Sequence, residues 1–483
     1  EMMLRDRDLV EETNTLIRDD LINAEWAVSR GVTRLRDIFE RASDAYFRER
    51  QGDIDFMGQR ILRNLTGKVT EVTEEATIDV GTVVVAHDLS PVDTVLLARQ
   101  RITALVTEVG GKTSHTSIIA RSLEVPAVVG VRGITDAAGS GDIVVVDGLD
   151  GTVWVRPTRA QVDRGRRRAE RFRLQNLELL EAKALPALTL DGHDITVAGN
   201  IELPGEIPNV LARGGEEIGL YRTEFMFLGR SSAPTEDEHY RAYCRIFDEV
   251  GERRVTIRTL DLGGDKLFGA MESSLEPNPA LGLRAIRYCL RHRDLFEAQL
   301  AGLLRAGTKG NLRIMLPMIS GIGELRATKE ILESVKVRLN REGKEYRADV
   351  PVGIMIEIPS AALMADHLSR ESDFFAIGTN DLLQYLIAID RTNDQVDYLY
   401  RPLHPAVIRT LKLVTSAAET AEIPVSVCGE MAGDIEHTAI LVGLGVGQLS
   451  MNASAIPRVK RVVRELHRAE CQDLVSEAID CAT

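Results

Sequence analysis

The 483-residue sequence is poor in cysteine. It has five, at Cys244, Cys289, Cys428, Cys471 and Cys481, scattered, odd in number and without a CxxC pair. That pattern excludes a disulfide framework and a paired-cysteine zinc site, and it points to reduced thiols in a cytoplasm. No stretch reaches the roughly 18 consecutive apolar residues of a membrane span. No signal peptide opens the chain, which starts on Glu1 rather than methionine, so further sequence upstream is expected. Positive charge is also in short supply. The formal net charge of −14 argues against nonspecific nucleic-acid binding. None of the nine histidines forms a His-x3-His pair, and no Ser-His-Asp grouping follows from residue order. What is present, 44% hydrophobic and 27% charged residues, is the profile of a globular protein of about three domains.

Hydrophobic periodicity divides the chain. Residues 1–68 read as helix, with apolar positions at helical spacing in Leu16, Ile17, Leu21 and Ile22, then Leu35, Ile38 and Phe39, then Ile54, Met57 and Ile61. Residues 69–157 switch to short β-branched runs: Thr82–Ala86, Ile102–Val106, Ala127–Val131, Ile143–Asp147 and Thr152–Val155. Helical segments are expected at Pro91–Arg99 and Thr116–Leu123, and Gly148 to Gly151 reads as a hairpin turn. This is a small α/β domain. Residues 158–185 form one charged linker helix, whose arginines are partly balanced by Asp163, Glu170, Glu178 and Glu181. A solvated helix explains that charge better than an RNA-binding patch.

Residues 186–483 alternate strand and helix. Eight candidate strands run Thr196–Ile201, Ile218–Arg222, Val255–Asp261, Leu312–Met318, Val352–Glu357, Phe374–Thr379, Val425–Gly429 and Gln448–Met451, with helical segments between them such as Gly323–Arg341 and Pro405–Thr420. Eight strand–helix units in about 300 residues is the arithmetic of a (β/α)8 barrel, with an open doubly wound sheet as the alternative. Gly443 to Gly447 follows a helix and precedes a strand, so it reads as an αβ turn rather than a dinucleotide loop.

Chemistry in such barrels sits at the C-terminal strand ends. Those ends carry Asn200, Arg222 with Glu224, Arg258 with Asp261 and Lys266, Glu357, Asn380 with Asp381 and Arg391, Cys428 with Glu430, and Ser450 with Asn452. Taken singly, each has a plain structural explanation: a surface ion pair for an arginine, a helix cap for Asp381. Together they suggest more. Glu357 and Asp381 can hold a hard divalent ion such as Mg²⁺, and converging arginines suit phosphate and carboxylate. Arginines plus Mg²⁺ imply an anionic, phosphorylated substrate.

A second signal is Gly110-Gly-Lys-Thr-Ser-His115-Thr-Ser, after the strand Ile102–Val106 and before an apolar helix. A phosphate-binding P-loop would need glycine at position 106, where Val106 stands. What remains is a histidine between hydroxyls at a helix start, a place that favours an anion and a covalently carried phosphoryl group. A simple capping role for His115 stays open.

These motifs resemble Enzyme I of the bacterial phosphotransferase system, the phosphoenolpyruvate–protein phosphotransferases, among the PEP-utilising enzymes. The resemblance covers Glu1 to about Val463 and rests on the His115 segment, Gly-Leu-Tyr-Arg222-Thr-Glu-Phe, Ile-Arg258-Thr-Leu-Asp-Leu-Gly-Gly-Asp-Lys266, Gly-Thr-Asn380-Asp381-Leu, Ala-Ile-Asp-Arg391 and Val-Cys428-Gly-Glu-Met-Ala-Gly-Asp. It implies a helical docking subdomain (1–68), a phosphohistidine α/β domain (69–157), a linker helix (158–185) and a PEP-binding, dimerising TIM barrel (186–483). It implies that His115 accepts the phosphoryl group of PEP and passes it to a histidine of the carrier HPr. Arg222, Arg258 and Arg391 would bind substrate phosphate and carboxylate beside Asn380 and Asp381, with Arg284 and Lys266 as further contacts. Glu357 and Asp381 would be the Mg²⁺ ligands. Cys428 would protonate the enolate, a role for which a thiol pKa not far from neutrality is expected. The resemblance further implies a cytoplasmic homodimer working in sugar uptake. A nitrogen-regulatory paralogue with an NPr-type carrier is the alternative. Family members carry about 70 more residues upstream, so the first domain is expected to be incomplete here.

Overall fold

The computed structural model describes residues 7–41, 58, 61–62, 65, 81–89, 102–110, 120, 125–227, 230, 232–263, 278–390 and 396–482. The chain forms two compact units, one built mainly from residues 1–110 and 127–136 and the other mainly from 137–483.

In the first unit, helices α1 (Arg7–Arg18) and α2 (Ala24–Arg41) pack on each other. The turn between them falls at Leu21, whose φ of 52° breaks the helical run. Ala27, Val28 and Val32, at helical spacing, form the buried stripe of α2. Three short strands, β1 (Val83–Ala86), β2 (Ala104–Thr107) and β3 (Ala127–Val128), make a parallel sheet in that order. The central strand β2 is buried along its whole length, as a strand flanked on both edges should be. The expected helices at 91–99 and 116–123 lie, apart from Ala120, outside the described residues.

The second unit opens with an antiparallel hairpin of β4 (Val144–Asp147) and β5 (Thr152–Val155), closed by the expected Gly148–Gly151 turn. A 23-residue helix, Arg159–Glu181, follows and packs on the hairpin. Gly165 allows this: a Cβ there would lie 2.8 Å from Val145 Cγ1. Arg168 on this helix pairs with Asp147 and Asp150 of the hairpin, and Arg173 with Glu170. Among the described residues, no helix is long and apolar enough to cross a membrane.

Eight parallel strands then close into a barrel: β6 (Thr196–Ile201), β7 (Glu217–Tyr221), β8 (Arg254–Arg258), β9 (Asn311–Leu316), β10 (Val352–Ile356), β11 (Phe375–Ile377), β12 (Val425–Val427) and β13 (Gln448–Met451). Closure comes where β13 pairs with β6, Gln448 opposite Thr196. The period of two decides which side chains meet the helices and which fill the barrel. On β10, Val352, Ile354 and Ile356 join the large outer core, while Met355 packs inward with Leu220, Met315, Phe374, Ala376 and Cys428. The open-sheet alternative is thereby excluded.

The strands are shorter at their C-terminal ends than the sequence suggests. β8 stops at Arg258 instead of Asp261, β11 at Ile377 instead of Thr379, and β12 at Val427 instead of Gly429. The extra residues have left the sheet to build the mouth: Thr379 starts the helix Thr379–Ile387, and Gly429 caps a short turn of helix at Glu430–Gly433. Gly445, with φ of 86°, lies in the turn between the helix Thr438–Gly443 and β13, as expected of an αβ turn.

Candidate active site

The C-terminal mouth of the barrel is built around Arg258, the last residue of β8. Its guanidinium donates to Glu224 Oε1 at 2.7 Å and pairs with Asp261 Oδ2 at 2.8 Å. Asp261 in turn accepts from Arg284 Nη2 at 2.7 Å, and Arg284 Nη2 lies 3.5 Å from Asp381 Oδ2. Arg284 Nη1 also donates to the Tyr385 hydroxyl, which itself donates to the Ala280 carbonyl at 2.6 Å. The result is a buried, alternating row of charge: Glu224, Arg258, Asp261, Arg284, Asp381. Burial works against the charge of Arg258, but the carboxylates of Asp261, Glu224 and Glu357 more than reverse this. Burial likewise opposes ionisation of Asp261, and Arg258 and Arg284 overcome it.

Glu357, just past β10, is 2% exposed and stands apart from that compensation. Burial, then the carboxylates of Asp261 and Asp381, push its carboxyl well above the usual range, with Arg258 only partly offsetting them. Its Oε1 accepts from the Met318 backbone N–H at 2.6 Å. Met318 has φ of 56°, an unfavourable value for a residue with a side chain, at the point where its N–H meets the carboxylate.

Cys428 follows β12 and is 3% exposed. Burial is the largest influence on its thiol, which is pushed up to about 12. Burial thus works against the thiolate form, and the expectation of a pKa not far from neutrality is not met. Sγ lies 3.6 Å from the Ile377 carbonyl, in position to donate to it. The backbone here is fixed by a chain from the neighbouring strands: Ser450 Oγ donates to Asn200 Oδ1 at 2.6 Å, and Asn200 Nδ2 donates to the Cys428 carbonyl at 2.9 Å. Asn380 Oδ1 accepts from the Glu430 N–H at 2.8 Å, which ties the starts of two mouth loops together. Gly429 is required at this crossing, since a Cβ would fall 2.0 Å from Thr379 Oγ1. Arg222 pairs with Glu202 at 2.8 Å and is close enough to act electrostatically on both Asp261 and Cys428.

Of the residues singled out in the sequence, the barrel mouth thus gathers Arg222, Arg258, Arg284, Glu357, Asn380, Asp381 and Cys428. His115, Lys266 and Arg391 lie outside the described residues. Sequence reasoning passed over two features. Glu202 is the counter-ion of Arg222. Gln299 is a fully buried amide that donates to Thr223 Oγ1 at 3.2 Å and accepts from the Leu260 N–H at 3.1 Å. Thr223 Oγ1 then donates to the Arg258 carbonyl at 3.0 Å, so Gln299 reaches the site from the outer helix layer. A lone amide on an otherwise apolar helix face was the available signal.

Among the described residues, the mouth sets three arginines (Arg222, Arg258, Arg284) against five carboxylates (Glu202, Glu224, Asp261, Glu357, Asp381). A small anion would be repelled unless positive charge joined it. Glu357 and Asp381 offer hard oxygen ligands where negative charge is in excess, which fits a divalent cation. No cluster of three His, Cys, Asp or Glu suited to a metal occurs among the described residues. Two carboxylates with the remaining positions left to substrate and water are what Mg²⁺ favours.

Comparison with known proteins agrees with this chemistry. Residues 177–468 match the PEP-utilising enzyme, PEP-binding domain. Residues 78–151 match the mobile domain of the same enzymes, and residues 1–50 match their N-terminal domain. The phosphoenolpyruvate-protein phosphotransferase of Staphylococcus carnosus (strain TM300) is 40% identical over 482 residues, covering 100% of this chain and 84% of the relative. The chain belongs to the phosphoenolpyruvate–protein phosphotransferase family. The enzyme of that name from Listeria monocytogenes is 41% identical over the same span, again with 84% of the relative covered. A solution NMR structure of an Enzyme I protein, 36% identical, covers 36% of this chain and 68% of that chain at a TM-score of 0.29, too low to bear on the fold. The activity of the family is phosphotransfer from phosphoenolpyruvate, and PEP is the substrate.

Proposed function

We propose that this enzyme transfers the phosphoryl group of PEP to His115 and from there to a histidine of the carrier HPr, releasing pyruvate as the first step of phosphotransferase-dependent sugar uptake. The observation that carries the reading is the charge at the barrel mouth: buried arginines matched to an anion beside a carboxylate pair that needs a cation. The reading also takes the protein as a cytoplasmic homodimer joined through the barrel.

In this mechanism Arg222, Arg258 and Arg391 hold the phosphate and carboxylate of PEP, with Arg284, Lys266 and Asn380 around them. Arg258 keeps its direction because Glu224 and Asp261 grip it from two sides. Glu357 and Asp381 would hold Mg²⁺, which when bound supplies positive charge to the phosphoryl oxygens and to the developing enolate oxygen. An imidazole nitrogen of His115 attacks phosphorus; the N–P bond forms as the bond from phosphorus to the enol oxygen breaks, and the electron pair leaves with the enolate of pyruvate. Cys428 gives its proton to the methylene carbon and is reprotonated from water. A thiol whose burial works against the thiolate form suits this direction. A histidine of the carrier then takes the phosphoryl group from His115.

The test combines purified protein, labelled PEP, MgCl₂ and HPr. Multiple-turnover pyruvate release should require both Mg²⁺ and carrier, with at most one pyruvate per chain formed when carrier is left out, and Glu357→Gln should abolish release without unfolding the barrel. Turnover that persists in chelator, or in Glu357→Gln, would contradict the assignment.

A further inference from the structure

At the opposite end of the barrel, under the N-terminal strand ends, lies a cavity of about 300 Å³. Its polar lining is dominated by three arginines: Arg254 from β8, Arg313 from β9 and Arg468 from the start of the C-terminal helix Arg468–Asp480. Their charges are poorly answered. Arg254 has a 3.4 Å ion pair with Glu217, whose other oxygen accepts from Gln448 at 2.8 Å. Arg313 is half-buried and its guanidinium has no hydrogen bond or ion pair with any described residue; it lies 5.0 Å over the ring of Phe374. The Arg468 side chain likewise has no such partner among the described residues. Glu217 does not itself line the cavity; Glu419 is the acidic residue of the lining and is exposed. Burial and the neighbouring charge of Arg254 both work against ionisation of Arg313, with Glu217 and Asp373 only partly offsetting them. In a chain of net charge −14, this hollow thus gathers three partly buried cations, of which Arg254 has one long ion pair and Arg313 and Arg468 have none among the described residues. Between the arginines the wall is apolar, formed by Phe374, Ile423, Pro424 and Leu444.

We propose that this cavity is a second anion site, separate from the PEP site, and that it takes a small organic molecule carrying a phosphate or carboxylate group on an apolar body. The arginine forks hold the anionic group, and the Phe374 side of the cavity receives the apolar part. All the lining residues lie on the barrel unit, at the end away from the mouth, so the site does not depend on the reading of the catalytic residues.

Phenyl phosphate and benzoate serve as probes, titrated calorimetrically into the full chain at constant ionic strength, one for each headgroup chemistry. At least one should bind the parent and Arg222→Met alike, since Arg222 belongs to the mouth. Its affinity should fall at least about tenfold in Arg313→Met, which keeps the aliphatic stem and loses the charge, and in Arg468→Gln, which leaves the barrel interior untouched. Failure of both probes to bind the parent would overturn the proposal. So would loss of binding in Arg222→Met, or unchanged affinity in both Arg313→Met and Arg468→Gln.

Discussion

Asp261 holds the charged row of the mouth together, and Asp261→Asn is the perturbation that tests it most sharply. The side chain is 7% exposed and makes two ion pairs, 2.8 Å to Arg258 and 2.7 Å to Arg284. At an effective dielectric of about 20, opposite charges about 4 Å apart attract by roughly 4 kcal/mol per pair. Burying the ions offsets much of that, so the measurable quantity is the cost of leaving the two guanidiniums facing each other with only their outer partners, Glu224 for Arg258 and Asp381 for Arg284. For a buried network broken on one side, that cost is about 3–5 kcal/mol. Asparagine keeps the size but supplies a single neutral acceptor. It also makes the mouth less negative, so a loss of PEP turnover cannot come from weaker attraction of the anion; it must come from misplaced arginines. Urea unfolding of the barrel should show the loss of stability, and kcat/KM for PEP should fall by about 10²-fold or more, roughly 3 kcal/mol of transition-state stabilisation. A stability loss under about 1 kcal/mol with kcat/KM within about threefold of the parent would refute the reasoning.

The other expectations concern Cys428 and Gln299. With its thiol pushed up to about 12 and buried, Cys428 should resist iodoacetamide at pH 8 in the folded protein while the exposed Cys481 is alkylated, as peptide mass mapping would show; equal labelling would contradict the burial. Cys428→Ala should keep near-normal PEP affinity while pyruvate release falls by about 10²–10⁴-fold, the usual contribution of a positioned general acid; turnover close to the parent would make the thiol a packing group. Gln299→Leu leaves the Leu260 N–H without its acceptor and Thr223 without its donor, so it should cost about 2–3 kcal/mol in urea unfolding and raise the KM for PEP; an unchanged KM would confine Gln299 to a structural role.

The barrel was legible because its strands are β-branched runs bounded by helices of clear period. β6 and β13 begin and end where the sequence places them, as does the helix Pro405–Thr420. The strand ends were less legible. Asp261, Thr379 and Gly429 directly follow the runs Val255–Leu260, Phe374–Gly378 and Val425–Cys428, and nothing local shows that they have already turned into the mouth. Most mouth residues were legible by position, because their polar side chains follow strand ends; Arg284, which caps the helix Ala285–Arg291, was named only through the family resemblance. The pairings were not legible. That Arg258 is shared between Glu224 and Asp261, or that Gln299 reaches the site through Thr223, depends on which strands become neighbours. The pKa of Cys428 is a property of burial, and a sequence motif carries no measure of burial. The cationic cavity was missed for a related reason: Arg254, Arg313 and Arg468 are far apart in sequence and meet only when the barrel closes.

The central claim is that His115 carries the phosphoryl group taken from PEP at this barrel. The most direct measurement incubates the full chain with PEP and MgCl₂ without carrier and maps the acid-labile phosphate by mass spectrometry under alkaline conditions. The account predicts one phosphoryl group, on His115, absent in His115→Ala and absent in Glu357→Gln. Phosphate on another residue, or undiminished labelling of His115→Ala, would contradict it.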